Sequence, residues 1–345
     1  MHSDKMSPAE RFTAFLGGKP VDRFLCVPLI LNHAARARGV KVGQYNRNGR
    51  LMGECHAAAY RRYGHDMVAI FSDTAIVAEA MGTELYYPED DVPRVERPAL
   101  ADPKDRSRLV TSDWADRGKL PVFYEAIRVA AEALHGEAPI GCCVPAPFTT
   151  AACLRGTDQL ARDLYRNRAL AHELLALSLE AAKQFAGRIM DSGGVPVVVD
   201  PVATGSVLGR RQFEEFALPY LKPLHAHIAA RGFPVVLHIC GQTARTLDPM
   251  AESGAALLSL DDISMAEARD RVGSRVALMG NVRPVQTLLK GKPEDVLREV
   301  RDLCDIGRRC PAGFILGSGC EVPIASPPEN IDAMMAGVRE YGRMK

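Results

Sequence analysis

Short apolar runs separated by longer amphipathic stretches recur along this chain, and that alternation constrains the fold more than any other feature. The runs span 24–30, 67–72, 139–144, 195–200, 234–240, 256–260, 276–280 and 314–317. Several are continuously apolar rather than alternating, as expected of strands covered on both faces. Helical patterns fill the gaps: an Ala/Leu-rich pair over 160–190, one amphipathic helix over 211–231, a shorter one over 244–253, then 292–308 and 329–342. Ser7-Pro8-Ala9-Glu10 reads as a capping box with proline in the first turn, so a helix opens there. Eight strands alternating with helices predict a (β/α)8 TIM barrel, with an open doubly wound sheet as the alternative. The whole chain, 1–345, reads as one barrel domain with an N-terminal helical extension and a Pro-rich, acidic insertion near 84–116.

In such a barrel the strand C-termini build the site. Those positions hold Asn32 and His33, Asp73, the segment from Pro145 to Thr149, Asp200, His238 and Cys240, Asp261 and Asp262, Asn281, and Cys320 with Glu321. Within Val235-Val236-Leu237-His238-Ile239-Cys240-Gly241, His238 and Cys240 are two apart and so share one side of an extended strand. Cys320 ends a distant apolar run, in Gly317-Ser318-Gly319-Cys320. One imidazole and two thiolates describe a Zn2+ site with its fourth position open, the catalytic form of zinc. Cys142 and Cys143 are adjacent, leave a strand on opposite faces and read as packing. His225 and His227 diverge on a helix and read as surface residues; Cys304 and Cys310 suggest no role.

Composition removes several classes. A net charge of +1 argues against a nucleic-acid binder. No run of eighteen apolar residues predicts a membrane span, and the polar opening Met1-His2-Ser3-Asp4-Lys5-Met6 lacks the core of a signal peptide, so the chain reads as cytoplasmic. Nine cysteines, an odd number, fit reduced thiols and metal ligands better than a disulfide framework.

Several segments resemble, in order, the uroporphyrinogen decarboxylase superfamily. Ser7-Pro8-Ala9-Glu10-Arg11-Phe12 with Gly18-Lys19-Pro20-Val21-Asp22-Arg23 is similar to its opening helix and first strand. Ile70-Phe71-Ser72-Asp73, followed by Ala80-Met81-Gly82, is similar to the motif with its catalytic aspartate, and Pro145-Ala146-Pro147-Phe148-Thr149 to its Gly-Pro-Phe/Trp-Thr segment. Within that superfamily His238, Cys240 and Cys320 resemble the zinc motif of the methylcobamide:coenzyme M methyltransferases, a motif the decarboxylases lack. Arg36 and Arg38 are only a partial echo of the Arg-rich segment with which decarboxylases grip their tetrapyrrole.

The resemblance implies zinc-dependent methyl transfer between a methyl-corrinoid, carried by a corrinoid-binding partner protein, and a small thiol such as coenzyme M. The alternatives are a corrinoid-dependent demethylase of a methoxy or methylamine compound and a tetrapyrrole decarboxylase that needs no metal. Asp261 is expected either to approach the zinc or to accept the thiol proton. Asp262 shares that position or N-caps the helix beginning near Met265. Asp73 is expected in the active site, orienting a cofactor amide or His33, with an N-cap as the competing role. Asn32, His33 and Asn281 are expected to contact substrate.

Overall fold

The structure, a computed structural model, describes residues 4–344; Met1 to Ser3 of the polar opening and Lys345 lie outside the described residues. The capping box is formed: the Ser7 hydroxyl accepts from the Glu10 amide at 3.3 Å, and the Glu10 carboxylate accepts from the Ser7 amide at 2.7 Å. The helix it starts, α1 (Pro8–Leu16), packs Phe12 and Phe15 against the apolar side chains inside the barrel.

Eight parallel strands follow: β1 (Cys26–Leu29), β2 (Val68–Ile70), β5 (Ile140–Pro145), β6 (Val195–Val199), β7 (Val236–Gln242), β8 (Leu257–Asp262), β9 (Ala277–Val282) and β10 (Phe314–Glu321). They lie in the order β1-β10-β9-β8-β7-β6-β5-β2, so the sheet curls into the expected TIM barrel. All eight apolar runs become strands, and the last continues past its run to Glu321. Within the segment expected as an insertion, β3 (Glu84–Tyr86) and β4 (Arg94–Arg97) form an antiparallel hairpin outside the barrel sheet.

The seam between β1 and β2 carries no ladder; one backbone bond, from the Asp66 amide to the Cys26 carbonyl at 2.9 Å, and several side chains clasp it. Asp66 Oδ2 accepts from the Cys26 amide at 2.6 Å at the lower end. At the upper end the Tyr45 hydroxyl donates to the Phe71 carbonyl at 2.9 Å, and Asn32 Nδ2 to the Ser72 carbonyl at 2.7 Å. Asp66 also anchors an ionic cluster beneath the strands. Arg11 reaches Asp66 at 2.5 Å and Asp22 at 2.7 Å, while Arg23 reaches Asp66 at 2.7 Å and Asp4 at 2.8 Å. Burial opposes ionisation of Asp22, but the Arg11 guanidinium holds its carboxyl well below the usual range.

Apolar side chains form two separate layers, as the two faces of a covered strand require. Cys142 packs outward among the helices and Cys143 inward into the lumen, on opposite faces as the adjacency implies. The single helix expected over 211–231 is broken. A short turn (Arg210–Gln212) passes through a π segment (Phe213–Ala217) into the helix Leu218–Ala229. Pro219 and Pro223 have no N–H to give the carbonyls four residues back, which loosens the ladder there. That helix buries His225, whose Nδ1 lies 2.9 Å from the Ser253 carbonyl, so the surface placement is corrected for His225. His227 is half-buried.

Candidate metal centre at the barrel mouth

His238, Cys240 and Cys320 converge at the upper ends of β7 and β10, their ligand atoms all within 4.8 Å of one another. Tetrahedral zinc with ordinary bond lengths separates its ligands by about 3.3–3.8 Å, so small rotamer changes close the triad on one ion. His238 Nδ1 lies 3.0 Å from the Ser259 hydroxyl on neighbouring β8, which leaves Nε2 for a metal. An outer partner of this kind fixes the imidazole's tautomer and orientation.

Both cysteines sit where the strand ladder is irregular, a detail the two-residue spacing did not foretell. The register between β7 and β8 shifts between Ile239 and Gln242, around Cys240 and Gly241. Gly241 takes a left-handed φ of 69°, and its amide donates to Asp261 Oδ2 at 2.8 Å. Between β1 and β10, Val27 faces Gly317 but Leu29 faces Glu321, so Ser318 to Cys320 bulge outward from the ladder. The Ser318 hydroxyl repairs the gap, accepting from the Leu29 amide at 2.9 Å and donating to the Cys320 carbonyl at 2.6 Å. At Gly319 a Cβ would lie 2.6 Å from Asp261 Oδ1, so only glycine lets that carboxylate approach the cysteine loop.

The two thiols differ. Contact with Cys320 holds the Cys240 thiol below its ordinary value, while the same contact, with burial, pushes Cys320 above it. Burial works against a charged His238, yet Cys320 and Asp261 hold its imidazole above the ordinary value. Two more carboxyls surround the centre. Burial pushes both Asp200 and Glu321 up to about 7, the first against hydrogen bonds from Thr149 and the second against those from Asn32. Asp200 Oδ2 has no partner, while Oδ1 accepts from the Thr149 amide and hydroxyl at 2.8 and 2.6 Å.

Two cavities meet at Cys320 and Glu321. The inner one, about 210 Å³, is the barrel lumen, and His238, Cys240 and Cys320 form part of its wall. The outer one, about 740 Å³, is a vestibule among the loops after β8 and β9, with Asp261, Asp262, Asn281 and Arg283 on its wall.

The other expected residues are placed differently. Asp73 accepts from the Ser72 hydroxyl at 2.6 Å and the Ala75 amide at 2.9 Å, and is ion-paired with Lys119. It lines neither cavity and does not touch His33, whose ring nitrogens face the Tyr63 hydroxyl and the Ile324 carbonyl. His33 and Asn32 are fully buried beneath the mouth, away from both cavity walls. Asn32 is a brace, donating from Nδ2 to Glu321 at 2.9 Å and to the Ser72 carbonyl. Asn281 reaches the vestibule but spends its Nδ2 on the Asp261 and Ile263 carbonyls at 2.8 and 2.7 Å. Ser264, not Asp262, caps the helix Met265–Val272.

Residues 7–341 match the family described as uroporphyrinogen decarboxylase. The chain belongs to the uroporphyrinogen decarboxylase family. Its relatives include a methylcobamide:CoM methyltransferase of Methanosarcina barkeri strain Fusaro, 28% identical over 96% of this chain and 97% of the relative. They also include the uroporphyrinogen decarboxylase of Neisseria meningitidis serogroup C, 31% identical over 90% of this chain and 88% of the relative. A solved methyltransferase from Methanosarcina mazei superposes with a TM-score of 0.89 at 25% identity, covering 98% of this chain and 99% of its own. Family membership fixes the scaffold and leaves the chemistry to the residues at the mouth.

Sequence reasoning passed over two residues that position the mouth of this family member, Ser259 behind His238 and Lys119 behind Asp73. Ser259 stands opposite His238 in the strand register, two residues before Asp261 on the same strand. A periodicity argument could have found it. Lys119 comes from a loop 46 residues beyond Asp73, and no local pattern connects the two. No helix among the described residues is long and apolar enough to cross a membrane.

Proposed function

We propose that the chain is a zinc-dependent corrinoid methyltransferase, moving a methyl group between a methyl-corrinoid on a partner protein and a small thiol. The convergence of His238, Cys240 and Cys320 within 4.8 Å carries this reading. A decarboxylation has no use for such a donor set, whereas thiol alkylation at neutral pH is served by one, because a free thiol is mostly protonated there and a bound metal lowers its pKa. When bound, zinc supplies a Lewis-acid position at which a thiol loses its proton.

The chain's own residues do the rest. Cys240 and Cys320 give two soft anionic donors, and His238, steered by Ser259, gives a neutral one. Asp261, held by the Gly241 amide beside the cysteine loop, is the acceptor for the thiol proton. Asn281 holds the strand end that carries Asp261. In the transfer the methyl–cobalt bond breaks with its electron pair left on cobalt, Co(III) becoming Co(I), and the sulfur pair forms the new S–C bond. The vestibule is the side from which the corrinoid approaches. Asp73, paired with Lys119 and turned from both cavities, positions the mouth loop. Arg36 and Arg38, which a polycarboxylate tetrapyrrole would need inside, are exposed.

Metal analysis after zinc reconstitution, combined with a methylcobalamin-plus-thiol assay, tests the reading. It expects about one zinc per chain and loss of methyl transfer in Cys320→Ser with an unchanged circular dichroism spectrum. A wild-type chain that remains metal-free, or a zinc-loaded one inert toward methylcobalamin with every thiol tried, overturns it.

A further inference from the structure

The two cavities that share Cys320 and Glu321 differ in kind. Asp261, Asp262, Ser264, Gln286 and Glu299 make the vestibule wall polar. The lumen wall is apolar, with Val27, Leu29, Ala69, Val197, Val199 and Met279 among its residues. Barrels of this type usually fill the lumen with layers of branched side chains. The small side chain of Ala69 leaves room here, and Phe12, Met67 and Leu257 bound the lumen at its lower end. A dry apolar cavity of about 150 Å³ lined by Leu, Ile and Phe is large enough to bind benzene. At about 210 Å³ this one has room for a four-carbon chain or a ring.

The charge on the walls matters as much as the size. Among the described residues no lysine or arginine lines the lumen, and its one carboxylate is Glu321. Lys119 is held by Asp73 and Arg283 by Glu299, while Arg36, Arg38 and Arg245 are exposed. A fixed anion in the lumen would lose its water and gain no cation in exchange. An alkyl chain would trade water for matching walls.

Resting on the reading of the triad as a thiol-binding metal centre, we propose that the lumen holds the carbon chain of the thiol. The site thereby selects an uncharged alkyl or aryl thiol over one bearing a sulfonate or carboxylate. The sulfur lies level with Cys240 and Cys320, the chain descends toward Phe12 and Met67, and the vestibule stays open for the methyl-corrinoid. Ala69, partway down the wall, sets how long a chain fits.

The test uses cobalt-substituted protein, with thiolate-to-Co2+ absorption as the readout, titrated with ethanethiol, 1-butanethiol and 2-mercaptoethanesulfonate. Butanethiol should bind at least tenfold more tightly than the sulfonate. Affinity should rise about fourfold per methylene from ethanethiol to butanethiol. Ala69→Leu should remove the gain for butanethiol and spare ethanethiol. Equal or tighter binding of the sulfonate overturns the proposal, as does affinity indifferent to chain length in the wild-type protein. If cobalt binds and no thiol alters its spectrum, the thiol reading falls and takes the proposal with it. A chain that binds no cobalt overturns the metal reading instead.

Discussion

At the lower end of the barrel, Arg11 and Arg23 enclose Asp66, Asp22 and Asp4, and none of the five leaves a buried polar atom unpaired. At the upper end Asp200 keeps an oxygen without a partner, as do the Asn32 carbonyl and the Thr243 hydroxyl. Unpaired buried polar atoms are costly, so the five-residue ionic cluster, which leaves none, and the mouth, which leaves three, serve different tasks; His65 Nδ1, next to the cluster, is the exception at the lower end. The lower end holds the strands together, and the upper end keeps hydrogen-bonding and ligand capacity in reserve.

Substitutions at the two ends should therefore fail in different ways. The largest effect is expected from Cys240→Ala. Losing a thiolate donor should reduce bound zinc to a trace and slow methyl transfer on the order of a thousandfold. The urea midpoint of the metal-free protein should barely move, and its collapse would break the comparison. Asp66→Asn should do the reverse. Leaving Arg11 and Arg23 with reduced compensation costs about 3–5 kcal/mol of folding free energy, read by urea denaturation, while zinc per folded chain stays at the wild-type level. Ser259→Ala should sharpen the picture at the upper end. Without the hydroxyl on His238 Nδ1, zinc affinity measured by chelator competition should drop about 10- to 100-fold with the fold intact.

The smallest effect concerns pH at the lower end. Burial holds the His65 imidazole down to about 4, beside Asp66 and below the ordinary value near 6.5. The unfolded chain then binds a proton that the folded chain refuses. The stability from His65 is present above about pH 6.5 and is lost as the pH falls toward 4. His65→Phe should flatten that acid slope by about 1.4 kcal/mol per pH unit, measured as urea midpoints across the interval. An unchanged slope would show that His65 takes up no proton on unfolding in this range.

The strands were legible because both of their faces are covered, which writes each as a continuous apolar run. Spacing put His238 and Cys240 on one side of a strand, but it took Cys320 after the last run and the family resemblance to make the three a metal candidate; the structure brings them within 4.8 Å of one another. The bulges that aim the two cysteines were not, because register is a property of paired strands: Cys240 shifts against β8 and Cys320 against β1. Asn32 and His33 looked like site residues because they follow a strand. What the strand end could not reveal was that Glu321, Tyr63 and the Ser72 carbonyl would already claim them. The burial of His225 was hidden by the π segment, which rotates the rest of its helix relative to a regular reading.

The bond from the Leu29 amide to the Ser318 hydroxyl joins residues 289 positions apart. On the ribosome, β1 is therefore made long before β10, its ladder partner among the described residues, and it must wait unpaired while every other stave of the barrel is laid down. The strand that finally covers it also delivers Cys320. Closure of the cylinder and convergence of His238, Cys240 and Cys320 thus become one event, and a chain interrupted before β10 can neither close nor bring the three donors together. A ligand that needs all three donors would find its site only after synthesis has passed that point.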